Sequence, residues 1–242
     1  MILIDAREGV SGDMLLAAML GGLSAARRSR AIAAMTGACE ARGLAFHMLE
    51  ITDQGDSGHG LSYQGEAIPE GDASREGCYS RLASVENEIG STTEVGTRIL
   101  DLIFEAESEA HGVPVGQVHL HEIGRTQALM NIAGIGLVAD LLEYEGANGF
   151  TSSVITTGGG LVVVSHGAVR IPAPATAILL RGLRHKSGDS PGERATPTGV
   201  AAVRVLAASQ VEDMPASYKK RSVGFGTKRF AGHLGRTALL WL

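Results

Sequence analysis

Aromatic residues make up only 4% of this 242-residue chain, and cysteine occurs twice. With so few rings, the core must be packed from small aliphatic side chains. Cys39 and Cys78 cannot make a disulfide framework, and neither has a cysteine neighbour at metal spacing, so both read as inert thiols. No apolar run approaches the roughly 18 residues of a membrane span, and nothing at the N terminus reads as a signal peptide. Cationic charge is in deficit: 21 Lys+Arg against 26 Asp+Glu leave a net −5. That balance argues against a nucleic-acid partner. A soluble cytoplasmic protein, with no membrane partner, is expected. Apolar residues are abundant at 44%, and so is glycine, with 33 residues, about twice ordinary usage. The chain can bury a sizeable core around many tight turns, which excludes wholesale disorder.

Residues 1–6 read as a buried strand ending on Asp5, followed by a loop and a buried helix from Met14 to Leu20 that Ser11 or Asp13 would cap. A second helix is expected from Ser24 to Arg42, closed by Gly43, and then a strand over 44–52. The Gly-, Ser- and acid-rich segment 53–77 reads as an exposed, mobile insertion. Helices follow at about 78–88 and 92–111, the latter opened by a capping box of Ser91 and Glu94. Val118 to His121 alternates like a strand, and Gln127 to Glu143 reads as a helix apolar nearly all round. Strands are expected at 151–157, 160–164, 218–227 and 237–242, and helices at 174–182 and 198–208. This interleaving predicts an α/β fold: a single unit over 1–242 with a mixed β-sheet flanked by helices.

Several groups could carry chemistry. Asp5 at a strand end and Asp13 in a first helical turn offer carboxylates for a proton or a metal. Ser11 and Gly12 sit in a turn whose free N–H groups suit a phosphate; simple capping is the alternative. In a strand, His119 and His121 would face one way, roughly 6.5–7 Å apart, with Glu122 beside them. Two imidazoles and a carboxylate suit a transition metal, although His-x-His also occurs by chance on solvent-facing strands. His166, between turn residues, is available as a further ligand or as an acid or base. Gln127 and Asn131 share a helix face and could orient a ligand, but not act as bases. Thr196 and Pro197 read as a helix cap whose hydroxyls and N–H groups, with Thr198 and Gly199, could hold a phosphate. Lys228 and Arg229 pair beside the turn Gly224-Phe225-Gly226-Thr227. The strands ending at Asp5 and His121 are expected to lie close together. Gly12→Val is expected to abolish mononucleotide binding without unfolding the chain.

Taken in order, six motifs resemble one family: the nickel-insertion proteins of nickel-pincer cofactor biosynthesis, the LarC family. They are Gly9-Val10-Ser11-Gly12-Asp13-Met14, the segment Val118 to Gly124, His166-Gly167, Pro172-Ala173-Pro174-Ala175-Thr176, Thr196-Pro197-Thr198-Gly199 and Gly224-Phe225-Gly226-Thr227. The resemblance spans the whole chain. It implies insertion of nickel between the sulfurs and the pyridinium carbon of a bis-thiocarboxylated mononucleotide, driven by CTP hydrolysis. It departs at Ala6 to Gly9, at Gly77 to Ser80, and at Gln127 and Asn131, where the family typically carries aspartates. The family's C-terminal, CTP-associated domain is not reached, which puts CTP dependence in doubt.

The resemblance implies a metal site of His119, His121, Glu122 and His166, with Asp5, Asp13, Glu122 and His166 as acid–base groups. Ser11, Gly12, Thr196, Thr198, Gly199 and Lys228 would hold the mononucleotide. Nickel is the metal implied, with Mg²⁺ or Mn²⁺ as alternatives. Expected partners are a mononucleotide-like small molecule, a separate catalytic or CTP-binding chain, and further copies of this chain in a homo-oligomer. Two other readings stay open. One is a repurposed relative acting on another nucleotide-like or sulfur-bearing molecule; the other is a non-catalytic binding or scaffold subunit.

Overall fold

A computed structural model describes residues 1–65, 72–120, 125–164 and 167–242. The chain opens with β1 (Ile2–Asp5), α1 (Gly12–Gly22) and α2 (Ala25–Glu40), then a hairpin of β2 (Ala45–Asp53) and β3 (Asp56–Gln64). Three helices follow: α3 (Arg75–Ile89), α4 (Val95–His111) and, after a 3₁₀ turn, α5 (Thr126–Tyr144). Short strands come next: β4 (Phe150–Ser152), β5 (Ile155–Thr156), β6 (Gly158–Gly159), β7 (Leu161–Val164) and β8 (Gly167–Arg170). Beyond α6 (Pro174–Leu179) lie β9 (His185–Lys186), β10 (Gly192–Glu193), α7 (Pro197–Leu206) and β11 (Ala207–Gln210). The long strands β12 (Lys220–Phe230) and β13 (His233–Trp241) complete the fold.

Seven strands form one sheet in the order β11-β4-β1-β13-β12-β3-β2. It is mixed, with β4 parallel to β1 and β3 parallel to β12, while β13 runs antiparallel to both its neighbours. Helices flank it, as the interleaved pattern predicts. The core sits where α1, buried on almost every side, is sandwiched between β12, β13 and β3 and the equally apolar α5. Contact between α1 and the sheet is direct. A Cβ on Gly224 would overlap the Met14 carbonyl oxygen and lie 2.6 Å from the Ala18 amide nitrogen. Only glycine lets β12 lie against the helix backbone.

Several local expectations need correction. Residues 56–64 are not an exposed insertion but β3, inside the sheet. Gln54 and Gly55, both at positive φ, make a tight hairpin turn, and β3 pairs with β2 along its length. Its glycines reflect close strand approach: a Cβ on Gly58 would lie 2.7 Å from Cβ of Val223. Residues 75–77 belong to α3, and 66–71 lie outside the described residues. Ser91 does not open α4; its amide donates to Glu86 O at 2.8 Å, closing α3 after Gly90 in the left-handed region. Residues 118–120 make only an isolated bridge, His119 to Ser74, rather than a strand. The last two strands form one long hairpin, turned at Ala231 and Gly232, both at positive φ. Helices α6 and α7 stop short of 182 and 208, and 207–210 extend as β11. Cys39 and Cys78 are buried and free, and burial pushes the Cys39 thiol up to about 11. No helix among the described residues is long and apolar enough to cross a membrane.

Candidate functional site

The turns expected to bind phosphate come together in space, but they bind each other. Val10 N donates to Arg194 O at 2.9 Å, and Thr196 N returns a bond to Val10 O at 3.0 Å. This bridge sets the N terminus of α1 against that of α7. A Cβ on Gly12 would stand 2.8 Å from Cγ2 of Thr198, and one on Gly199 would lie 2.7 Å from the Ser11 Cα. Thr196 Oγ1 accepts from Gly199 N at 3.3 Å, the capping role. Ser11 Oγ donates to Asp13 Oδ1. Thr198 and Gly199 are buried in this contact. The expected clean effect of Gly12→Val is therefore corrected: a branched side chain there collides with Thr198 and strains the fold itself.

Asp13 alone among these turn residues reaches a cleft of about 700 Å³. Its polar part is formed by Asp13, Tyr63 of β3, and Gln127 and Asn131, which are one turn apart on α5. Tyr63 Oη donates to Asn131 Oδ1 at 2.7 Å. Burial first, then the nearby Cys39 and Asp13, push the phenol well above its ordinary value. The apolar part is Leu49, Ile51, Phe225 and Leu234, three of which belong to a small cluster around Val223 and Ala238. Thr227 and Arg229 also line the cleft. Arg229 Nη1 is held by Asp53 Oδ1 at 3.1 Å and Gly232 O at 2.9 Å. Asp53 is kept below the usual carboxylate range, mainly by accepting from the Leu234 amide, with Arg229 adding to it.

The other expected site residues that are described do not line the cleft. Asp5 does not join the cleft: Arg7 claims its carboxylate through Nε at 2.8 Å and Nη2 at 2.9 Å. Lys228 stands off the cleft, its ammonium 4.0 Å from Glu193 Oε2. His119 is exposed beside the start of α3. His121, Glu122 and His166 lie outside the described residues, so the expected nearness of Asp5 and His121 does too. Among the described residues, no three His, Cys, Asp or Glu side chains gather to hold a metal. Sequence reasoning missed Tyr63, which fell in the supposed insertion, and the apolar wall. The doublet at 228–229 was the one usable signal, read onto the wrong residue.

Fold and cleft together define an α/β protein with an amphipathic, small-molecule-sized cavity beside the N terminus of a buried helix. The sequence profile of the nickel insertion protein family matches residues 2–238, and the chain belongs to that family. Relatives bearing the nickel insertion name include one from Pelobacter propionicus, 30% identical over 227 residues, covering 93% of this chain and 56% of its own. One from Geotalea daltonii is 30% identical over 241 residues, covering 95% and 57%. Another from Geobacter sulfurreducens is 39% identical over 138 residues, covering 57% and 35%. The chain thus spans about half the length of the curated relatives it matches. No solved structure matches it.

Proposed function

We propose that this chain binds a thiocarboxylated pyridinium mononucleotide in the cleft, where nickel is inserted into it. One observation carries the reading: two of the six motifs, and the helix that follows a third, converge from far apart in sequence on a single cavity. Asp13 comes from the first, Gln127 and Asn131 from the helix after 118–124, and Phe225, Gly226 and Thr227 from the last. The apolar wall suits a flat ring and keeps water off it. Arg229, with only Nη1 engaged among the described residues, has Nη2 to offer a phosphate.

Nickel is the cargo in this reading, a borderline metal well suited to substrate sulfur and imidazole. His119, His121, Glu122 and His166 are the proposed protein-side donors. Gln127 and Asn131 add no charge to hold a free dication, so nickel binds weakly to the protein alone and tightly with a thiolate-bearing ligand. CTP hydrolysis, with its Mg²⁺ or Mn²⁺, is assigned in this reading to a separate CTP-binding chain or segment.

Nickel titration followed by metal analysis, with and without a thiocarboxylated pyridinium mononucleotide, tests the reading. The ligand should tighten binding. The double variant His119→Ala, His121→Ala should lose the tightening. If it binds nickel as the parent does, with and without ligand, the histidines are structural and the metal-insertion reading fails.

A further inference from the structure

The hydroxyl of Tyr63 is committed in a way the nickel reading does not use. Its ring is wedged against Phe46 on β2, the centroids 5.2 Å apart at 48°, and the two residues are register partners. From there Oη donates to Asn131 Oδ1, and burial pushes the phenol well above its ordinary value, which favours the protonated, donating form. A side-chain amide has one accepting end and one donating end. With Oδ1 occupied by Tyr63, the donating Nδ2 is the end left for a ligand.

Asn131 itself stands close to the turn that carries Asp13. A Cβ on Gly12, the residue before it, would lie 3.5 Å from Cβ of Asn131, and both Asp13 and Asn131 line the cleft. Asp13 Oδ1 accepts from Ser11, and Oδ2 has no hydrogen-bond donor among the described residues. A donor and an anionic acceptor therefore line one cleft. A phosphate or carboxylate only accepts, and would meet the charge of Asp13. A pyridinium ring carries no group for the amide N–H, and a cation would be faced by that N–H. A hydroxyl satisfies both, giving its proton to Asp13 and accepting from Nδ2.

We propose that Tyr63 is a positioning residue that orients the Asn131 amide, and that Asn131 Nδ2 and Asp13 together read a sugar hydroxyl of the bound mononucleotide. The proposal rests on the mononucleotide reading above. A carboxamide has the same two ends and is the rival chemistry.

Calorimetric titration with nicotinate ribonucleotide, its 2′-deoxy and 3′-deoxy forms, and its carboxamide analogue provides the test. The parent should prefer the ribonucleotide over one deoxy form by about 3–10-fold, the scale of one hydrogen bond plus the penalty of an unpaired partner. It should bind carboxylate and carboxamide forms alike. Tyr63→Phe keeps the ring against Phe46 but frees the amide to turn. Asn131→Asp keeps an acceptor for Tyr63 but removes the donor. Both should bring the hydroxyl preference close to one, with the Tyr63→Phe thermal midpoint measured alongside to separate positioning from unfolding. A preference that survives both variants overturns the inference and leaves the mononucleotide reading standing. A preference for the carboxamide in place of the hydroxyl overturns it in favour of the rival. If the parent binds no ribonucleotide, both readings fall together.

Discussion

Replacing Gly224 by alanine should drive β12 and α1 apart, and with them two walls of the cleft. The added Cβ would overlap the Met14 carbonyl oxygen and stand 2.6 Å from the Ala18 amide nitrogen, inside the 3.0 Å limit that Cβ contacts respect. Both obstacles are helix backbone, and α1 is pinned behind by α5, so no side chain can swing away. Overpacking of a tight core costs about 1–3 kcal/mol, and a backbone collision belongs at the upper end, about 3 kcal/mol. At about 2–4 °C per kcal/mol for a chain of this size, the thermal midpoint should fall by about 6–12 °C. Gly37→Ala is the matched control: Gly37 is an exposed residue inside α2 with nothing within 4 Å of its added Cβ. That variant should gain about 0.4–1 kcal/mol from reduced chain entropy. Urea unfolding of both, followed by circular dichroism, checks the pair. If Gly224→Ala unfolds within about 0.5 kcal/mol of the parent, an ordinary surface-like effect, the close seating of β12 on α1 is wrong.

Thr196→Ala removes the cap of α7 and should cost about 1 kcal/mol in urea unfolding; no loss would mean that the bond to Gly199 N contributes nothing. For His59, burial first and then Arg28 hold the imidazole below its ordinary 6.5, with Glu50 opposing. As pH falls below 6.5 the unfolded chain takes up this proton before the folded one does, so stability should decline from there down to the folded value. His59→Asn should flatten that slope below pH 6.5, and an unchanged slope would show that His59 is not its source. Asp5→Asn should free Arg7 yet leave mononucleotide affinity within about twofold, since Asp5 stands outside the cleft and an uninvolved polar group contributes little. A large loss by calorimetry would return Asp5 to the site.

Much of this protein was legible locally. The apolar density of α1 and α5 and the Thr196-Pro197 start of α7 are properties of a few neighbouring residues, and each stands where its sequence places it. So does the shared face of Gln127 and Asn131, because helical periodicity alone sets it. What sequence left open are partnerships across long stretches of chain. Gly58 and Gly60 looked like loop residues until β12, more than 160 positions later, was found lying alongside them. Asp5 and Asp13 looked like one site until Arg7 claimed the first and the cleft took the second. Thr196 to Gly199 looked ready for phosphate until the start of α1 filled that space. Tyr63 had no visible role until β3 carried it to Asn131. Periodicity and capping describe what a segment does with its own backbone, whereas a cleft is defined by which segments meet, and only the packed sheet and helices decide that.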